Sequence, residues 1–305
     1  MIEIRGLVKS FGDIQALAGV DFTVKEGEIF GLLGPNGAGK TTTISIVAGL
    51  LNADSGSVRV SGMDIRTEGR RVRRMLGVVP QDIALYEELS GRENLIFWGG
   101  LYGLSGKLLR EEADRVLELV GLTDRARDPV SEYSGGMKRR LNLSAGLIHR
   151  PKVILLDEPT LGIDPQARLN ILDIIKDGVS GGMTAIYTTH YLEEAEKLCD
   201  RIAIIDHGKI LAQGTLGELV KLAGEGNVVT VSGAFTKEQM GPLLKGIAVD
   251  HLENGSLRML VPGQSELSGA LGRLFSAGMS IEEVSIQEPS LEGVFIKLTG
   301  RELRD

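Results

Sequence analysis

Gly34-Pro35-Asn36-Gly37-Ala38-Gly39-Lys40-Thr41-Thr42 fills the pattern G-x-x-x-x-G-K-[ST] at every fixed position. Each of those positions has a chemical reason. The glycines let successive backbone N–H groups curl round a phosphate, the lysine reaches the β- and γ-phosphate oxygens, and the Thr41 hydroxyl can hold Mg2+. On the N-terminal side, Glu28-Ile-Phe-Gly-Leu-Leu33 reads as a short buried strand entering the loop. On the other side, Ile44, Val47, Ala48 and Leu51 recur at i, i+3, i+4 and i+7. That spacing predicts a helix leaving the loop with its N-terminal amides aimed at the phosphates. Strand, loop, Lys-Thr and helix in this order predict a nucleotide site rather than an empty anion-binding turn.

Two further stretches supply what phosphate chemistry needs. Val153-Ile-Leu-Leu-Asp157-Glu158-Pro159 is an apolar strand ending in adjacent carboxylates. Transfer of a phosphoryl group from ATP to water requires Mg2+, positive donors on the γ-phosphate and a group that orients the water. Asp157 can hold a Mg2+ shell through water, and Glu158 can polarise the attacking water; two acids capping a strand are the plain alternative. A second glycine-rich loop, Tyr133-Ser134-Gly135-Gly136-Met137, precedes that strand.

The bulk composition is that of an ordinary globular protein. With 305 residues, 42% hydrophobic and 25% charged, the chain has room for one large domain and a small one. A formal net charge of -7 disfavours nucleic acid as the main partner. The basic runs Arg70-Arg71-Val-Arg73-Arg74 and Lys138-Arg139-Arg140 are short enough to decorate solvated helix faces. The lone Cys199 excludes an internal disulfide, fits a reducing compartment and reads as small core filler. No stretch approaches the roughly 18 apolar residues of a membrane span, so a soluble, cytoplasmic protein is expected. Leu95-Ile-Phe-Trp98, with Leu101 and Tyr102, suits a core or docking helix.

Strand signals run from Ile2 to Val24, broken near Phe11-Gly12 and followed by a Lys25-Glu-Gly27 turn, so an antiparallel patch is expected beside the nucleotide. Ser57–Val60 and Leu76–Val79 add strands. From about 87 to 150 the pattern is helical, with Ala113, Val116, Leu117 and Val120 in one stripe. After Pro151 strands and helices alternate (153–156, 166–176, 184–188, 193–198, 202–205), which predicts a mostly parallel sheet covered by helices. Composition shifts at Leu222-Ala-Gly-Glu-Gly226. The boundaries expected are therefore a nucleotide-binding α/β domain over 1–222 and a small α+β domain over 227–305. The latter's strand and helix signals spell βαββαβ plus a helix, an order that suits a ferredoxin-like layer.

These residues resemble the ATP-binding cassette (ABC) ATPases over roughly 1 to 215, with Ser134-Gly135-Gly136 as the mark. The resemblance implies a P-loop ABC domain with antiparallel β and helical subdomains. It also implies that two copies sandwich two ATP molecules head to tail, each Ser-Gly-Gly loop gripping the γ-phosphate held by its partner. By position, Phe11 resembles the aromatic that stacks on adenine, with core packing as the alternative. Gln81 resembles the glutamine that touches Mg2+ and the water and senses the membrane partner; the alternative is a surface loop residue. Asp164 resembles the residue contacting the opposite site, or else caps a helix before Pro165. His190 resembles the switch histidine on the γ-phosphate rather than a surface histidine. His149, His207 and His251 are read as structural. Tyr133 and Met137 depart from the usual Leu-Ser-Gly-Gly-Gln, and Leu161-Gly-Ile-Asp164 from the usual Ser-Ala-Leu-Asp.

Leu85-Tyr-Glu-Glu-Leu-Ser-Gly-Arg-Glu-Asn94, Ser134 to Leu141 and the segment Glu288 to Gly300 together resemble the ATPase subunits of bacterial and archaeal multidrug and antibiotic exporters. Such subunits pair with a separate membrane permease, which implies a place on the inner face of the cell membrane. An import motor is the nearer rival. A soluble ABC ATPase acting on ribosome or DNA is disfavoured, because the chain has one cassette and no long heptad insertion.

Overall fold

In the strands of the central sheet the side-chain period of two sends neighbours to different cores. Ile154 and Leu156 pack into one cluster and Val153 and Leu155 into another. A strand buried on both faces must be apolar at every position, which is why Val153–Leu156 reads as an unbroken hydrophobic run. The computed structural model describes residues 1–223, 227–244, 247–253, 255–261, 263–278, 280–287 and 290–299. Gly224 to Gly226 of the expected linker, and Glu288, Pro289 and Gly300 of the C-terminal segment, lie outside the described residues.

The chain divides into two units, Met1–Leu211 and Ala212–Asp305. The first begins with β1 (Ile2–Phe11), β2 (Ile14–Val24), β3 (Ile29–Leu33) and α1 (Lys40–Val47). It continues with β4 (Ser55–Val60), β5 (Met63–Asp64), α2 (Gly69–Arg73) and β6 (Leu76–Val79). Three helices follow, α3 (Gly91–Leu101), α4 (Gly106–Leu119) and α5 (Gly135–Leu147). Then come β7 (Val153–Asp157), α6 (Pro165–Ser180), β8 (Thr184–Thr189), α7 (Leu192–Leu198), β9 (Arg201–Asp206) and β10 (Lys209–Gly214).

Strands β2-β1-β4-β5 make the expected antiparallel patch, and β10-β9-β3-β8-β7-β6 the central sheet. The pairs β9–β3, β3–β8, β8–β7 and β7–β6 are all parallel. Parallel strands end on the same side, so the residues just after β3, β6, β7 and β8 share one sheet edge. The α4 stripe Ala113, Val116, Leu117 and Val120 is fully buried, with α4 packed on α3 and α5, each larger side chain contributing about 1.5–3 kcal/mol. Leu51 lies past the end of α1 and is not on its face: the helix stops at Val47, with Ala48 as its cap.

The second unit holds α8 (Leu216–Ala223), β11 (Asn227–Ala234), α9 (Lys237–Met240), β12 (Ala248–Glu253), β13 (Ser256–Val261), α10 (Gln264–Ser276), β14 (Ser280–Gln287) and α11 (Leu291–Thr299). Its sheet runs β12-β13-β11-β14 with antiparallel neighbours, the ferredoxin-like order. The division into units falls within β10 and leaves α8 in the second, whereas the composition shift lies after Leu222. Within that unit Lys297 Nζ donates to the Leu222 carbonyl at 2.9 Å.

Candidate active site

The loop after β3 owes its path to glycine. A Cβ on Gly34 would sit 2.1 Å from the Ile205 carbonyl oxygen, and Gly39, at φ 107°, would meet the Ala16 carbonyl at 2.7 Å. Lys40 is buried and points back into its own loop, donating to the carbonyls of Gly34 at 2.7 Å and Pro35 at 3.1 Å. Its ammonium also lies 2.9 Å from Glu158 Oε1. A cleft of about 570 Å3 opens beside it, lined by Asn36 to Thr42, Gln81, Glu158 and, at one end, Phe11 with Gln15 and His207.

Phe11 is 50% exposed, which excludes the core-packing alternative; its ring lies 5.5 Å from the Lys9 ammonium. His207 holds φ 45° in the two-residue turn between β9 and β10, a backbone that such hairpin turns require. Sequence alone reads His207 as structural, because nothing in its neighbours marks it as lining the cleft.

Two carboxylates meet at the end of β7. Glu158 is buried in the left-handed region at φ 45°, a conformation that costs a non-glycine residue on the order of 1 kcal/mol or more. Its N–H donates to Thr188 Oγ1 at 3.0 Å, and that hydroxyl donates to Asp157 Oδ1 at 2.7 Å. Glu158 Oε2 lies 2.9 Å from His190 Nδ1. Burial pushes the Glu158 carboxyl up, but the hydrogen bonds from His190 and Lys40 win and hold it below its ordinary range. Burial wins at Asp157, whose pKa is raised despite hydrogen bonds from Thr188 and Thr41. His190 is 7% exposed, so it is no surface histidine.

Gln81 follows β6, and its carbonyl accepts from Arg139 of α5. Asn142, also on α5, accepts from the Ala84 N–H at 3.1 Å and donates to the Pro80 carbonyl at 3.3 Å. Lys138 pairs with Glu87, and Arg140 donates to the Val120 carbonyl at 2.8 Å. The run Lys138-Arg139-Arg140 is therefore a set of structural ties, not the solvated face expected from its sequence. A helix turn spreads three consecutive side chains to three directions, and here each direction has an acceptor.

Ser134, Gly135, Gly136 and Asp164 form a separate group that does not line the cleft. Ser134 caps α5 by accepting from the Met137 N–H at 3.3 Å. Asp164 caps α6, Oδ1 accepting from Gln166 at 3.1 Å and Ala167 at 2.9 Å. Gly136 packs against Asp164 and Ala167. Ser134, Gly135 and Asp164 are exposed. The departures beside them are packing choices: Tyr133 is buried and donates to the Arg125 carbonyl at 2.6 Å, and Met137 packs on the core.

Sequence reasoning missed Glu194. This carboxylate, 2% exposed, accepts from Thr160 at 2.7 Å, Tyr187 at 2.7 Å and Thr189 at 2.8 Å. It binds the segment after Glu158 to the strand end that carries His190. Its neighbour Glu193 is exposed, and only the α7 register separates the two.

The family model described as ABC transporter matches residues 17–161. A linearmycin-resistance ATP-binding protein of Bacillus subtilis (strain 168) is 42% identical, covering 100% of both chains. A Nod factor export ATP-binding protein of Rhizobium sp. (strain N33) is 38% identical over 99% of this chain and 98% of its own. Among solved structures, an ATP-binding cassette seen as a dimer with ADP and Pi superposes with a TM-score of 0.65 at 27% identity, covering 70% of this chain and 98% of that one. Matched along its whole length, the chain belongs to the ATP-binding proteins of ABC transporters and is an ATPase.

Proposed function

We propose that this ATPase drives export through a separate membrane permease, working as a dimer that closes around two ATP molecules. One observation carries the reading: the cleft at Lys40 is built from the ends of β3, β6 and β7, while Ser134 and Gly135 stand exposed outside it. The α5 N-terminus is a ready anion site, free to meet the γ-phosphate held by a second copy. In each copy Phe11 stacks on adenine, the backbone of residues 34–42 and Lys40 bind the phosphates, Glu158 polarises water, His190 touches the γ-phosphate and Asp164 faces the opposite site.

The oxygen donors of Thr41, Asp157 and Gln81 suit Mg2+, which keeps several waters and takes few protein ligands. Asp157, lifted by burial, is the carboxylate that a cation would stabilise most. Held there with ATP, Mg2+ would supply positive charge against the charge developing on the phosphate. The chain's own contribution is orientation: the Thr188 hydroxyl fixes the Asp157 carboxylate and the Glu158 backbone N–H, while Lys40 and His190 hold the Glu158 carboxylate.

The 80–84 loop is tied to α5 by Arg139 at Gln81 and by Asn142 at Pro80 and Ala84, so movement of the α5 N-terminus on phosphate reaches it. Beside that loop lies an apolar cleft of about 250 Å3 lined by Leu50, Pro80, Ala84, Trp98, Tyr102 and Ala145. This cleft is the proposed permease contact. No helix among the described residues is long and apolar enough to cross a membrane, so such contact would hold the protein on the inner face of the cell membrane. The relatives' names favour drugs or other amphipathic compounds as cargo, and export over import. The second unit is an accessory domain that stabilises the dimer.

The test is to recover tagged Glu158→Gln protein from native membranes with Mg-ATP and identify what co-purifies. An integral membrane protein with several spans of roughly 20 apolar residues is expected. Ribosomal or DNA-bound partners would overturn the proposal.

A further inference from the structure

The first unit carries a second cleft, of about 500 Å3, that shares no lining residue with the one at Lys40. That volume is typical of small-ligand sites. Its floor includes Leu7, Ile46, Leu51 and Ile65, and its rim carries Arg66, Arg70 and Arg73. Residues 66–74 hold five arginines (66, 70, 71, 73, 74) against one acid, Glu68, a local charge of +4 within a chain of net charge -7.

Those arginines are not equivalent. Arg71 is paired with Glu68 at 2.8 Å, and Arg66 sits 3.7 Å from Asp64. Arg70 and Arg73, both exposed, have no ion pair or hydrogen bond among the described residues. They stand at i and i+3 on α2, where like charges oppose the helix by a few tenths of a kcal/mol. Small residues make room for Arg73: a Cβ on Gly49 would lie 3.1 Å from its Nη1, and one on Gly69 3.0 Å. Two unpaired guanidinium forks over an apolar floor match a phosphate group joined to a carbon skeleton.

We propose that this cleft binds a phosphate-bearing anion, Arg70 and Arg73 gripping the phosphate while the organic part rests on Leu51 and Ile65. An anionic phospholipid headgroup and a soluble phosphate ester share that chemistry. Arg73 also borders the apolar cleft of Leu50, Trp98 and Tyr102, so the bound anion lies at the edge of the proposed permease face. Binding itself is independent of that reading.

The experiment uses full-length protein with ADP present to fill the first site. Glycerol 3-phosphate is titrated by calorimetry, and binding is measured to vesicles of phosphatidylcholine with and without phosphatidylglycerol. Arg70→Gln/Arg73→Gln is compared with Arg71→Gln/Arg74→Gln, which removes the same charge from residues that do not line the cleft. The first pair should weaken binding on the order of 30-fold, two basic side chains at the ordinary worth of each near an anionic surface, and the second only a few-fold. ATP hydrolysis by both should match wild type. Binding of the free ester identifies a soluble ligand, and binding of phosphatidylglycerol vesicles alone identifies a headgroup. No binding of either by the wild type, or equal losses in both pairs, would overturn the proposal.

Discussion

Glu158 is held by three constraints at once: a left-handed backbone, the Lys40 ammonium and the His190 ring. Glu158→Gln keeps the shape and removes the basic oxygen pair, so ATP turnover should fall by at least about 100-fold while a fluorescent ATP analogue still binds; near-normal turnover would remove the residue from its role. Glu194 tests the support beneath it. Glu194→Ala leaves the hydroxyls of Thr160, Tyr187 and Thr189 without their acceptor and should lower unfolding stability by about 3 kcal/mol. The exposed Glu193→Ala should change it by less than about 0.5 kcal/mol. Denaturant titration of the pair decides, and equal effects would contradict the network. At this scale the Gly34–Thr42 loop was legible because Gly, Lys and Thr have separate tasks at fixed spacing. Glu194 was not, because its burial follows from which way one turn of α7 faces.

Elements were legible where one periodicity dominates. The α4 stripe and the apolar β3 and β7 runs each point to a single face or to two buried faces. Short pieces such as β5 and α2 carry too few residues to show a period, and β10 alternates only weakly between sheet and water. The Leu85–Asn94 segment, which sequence ties to an exporter branch, is structurally a loop running into the first turn of α3, closed by Asn94 and a capping box of Ser90 and Glu93. His149 ties α3 to the sheet: it stacks on Tyr102 at 3.5 Å and its Nε2 lies 3.0 Å from the Leu76 carbonyl. Burial lowers its pKa from 6.5 to about 4. A lowered histidine pKa means that the unfolded chain takes up the proton first. The stability it contributes is whole above pH 6.5 and is lost as pH falls toward about 4, by at most about 3 kcal/mol. His149→Phe keeps the stack, and unfolding across this window should show a shallower pH dependence than wild type; an identical slope would place the titration elsewhere.

For the whole molecule, the two units differ in what they supply. The first contains every residue of the cleft and both capped helix starts, while the second offers a sheet and helices with no nucleotide motif. Because α8 packs with α11, a truncation should end at Gly214 rather than Leu222. That variant should bind ATP as the full chain does and dimerise more weakly in sedimentation; unchanged dimerisation would free the second unit from that task. The central claim is that ATP on Lys40 of one copy is gripped by Ser134 and Gly135 of another, and it is tested most directly by light scattering on purified Glu158→Gln protein. Without nucleotide the mass should be that of one 32.7 kDa chain, with Mg-ATP it should double, and Ser134→Arg should abolish the doubling while ATP still binds. A Glu158→Gln protein that holds Mg-ATP and stays monomeric, or a Ser134→Arg variant that dimerises unimpaired, would contradict the account.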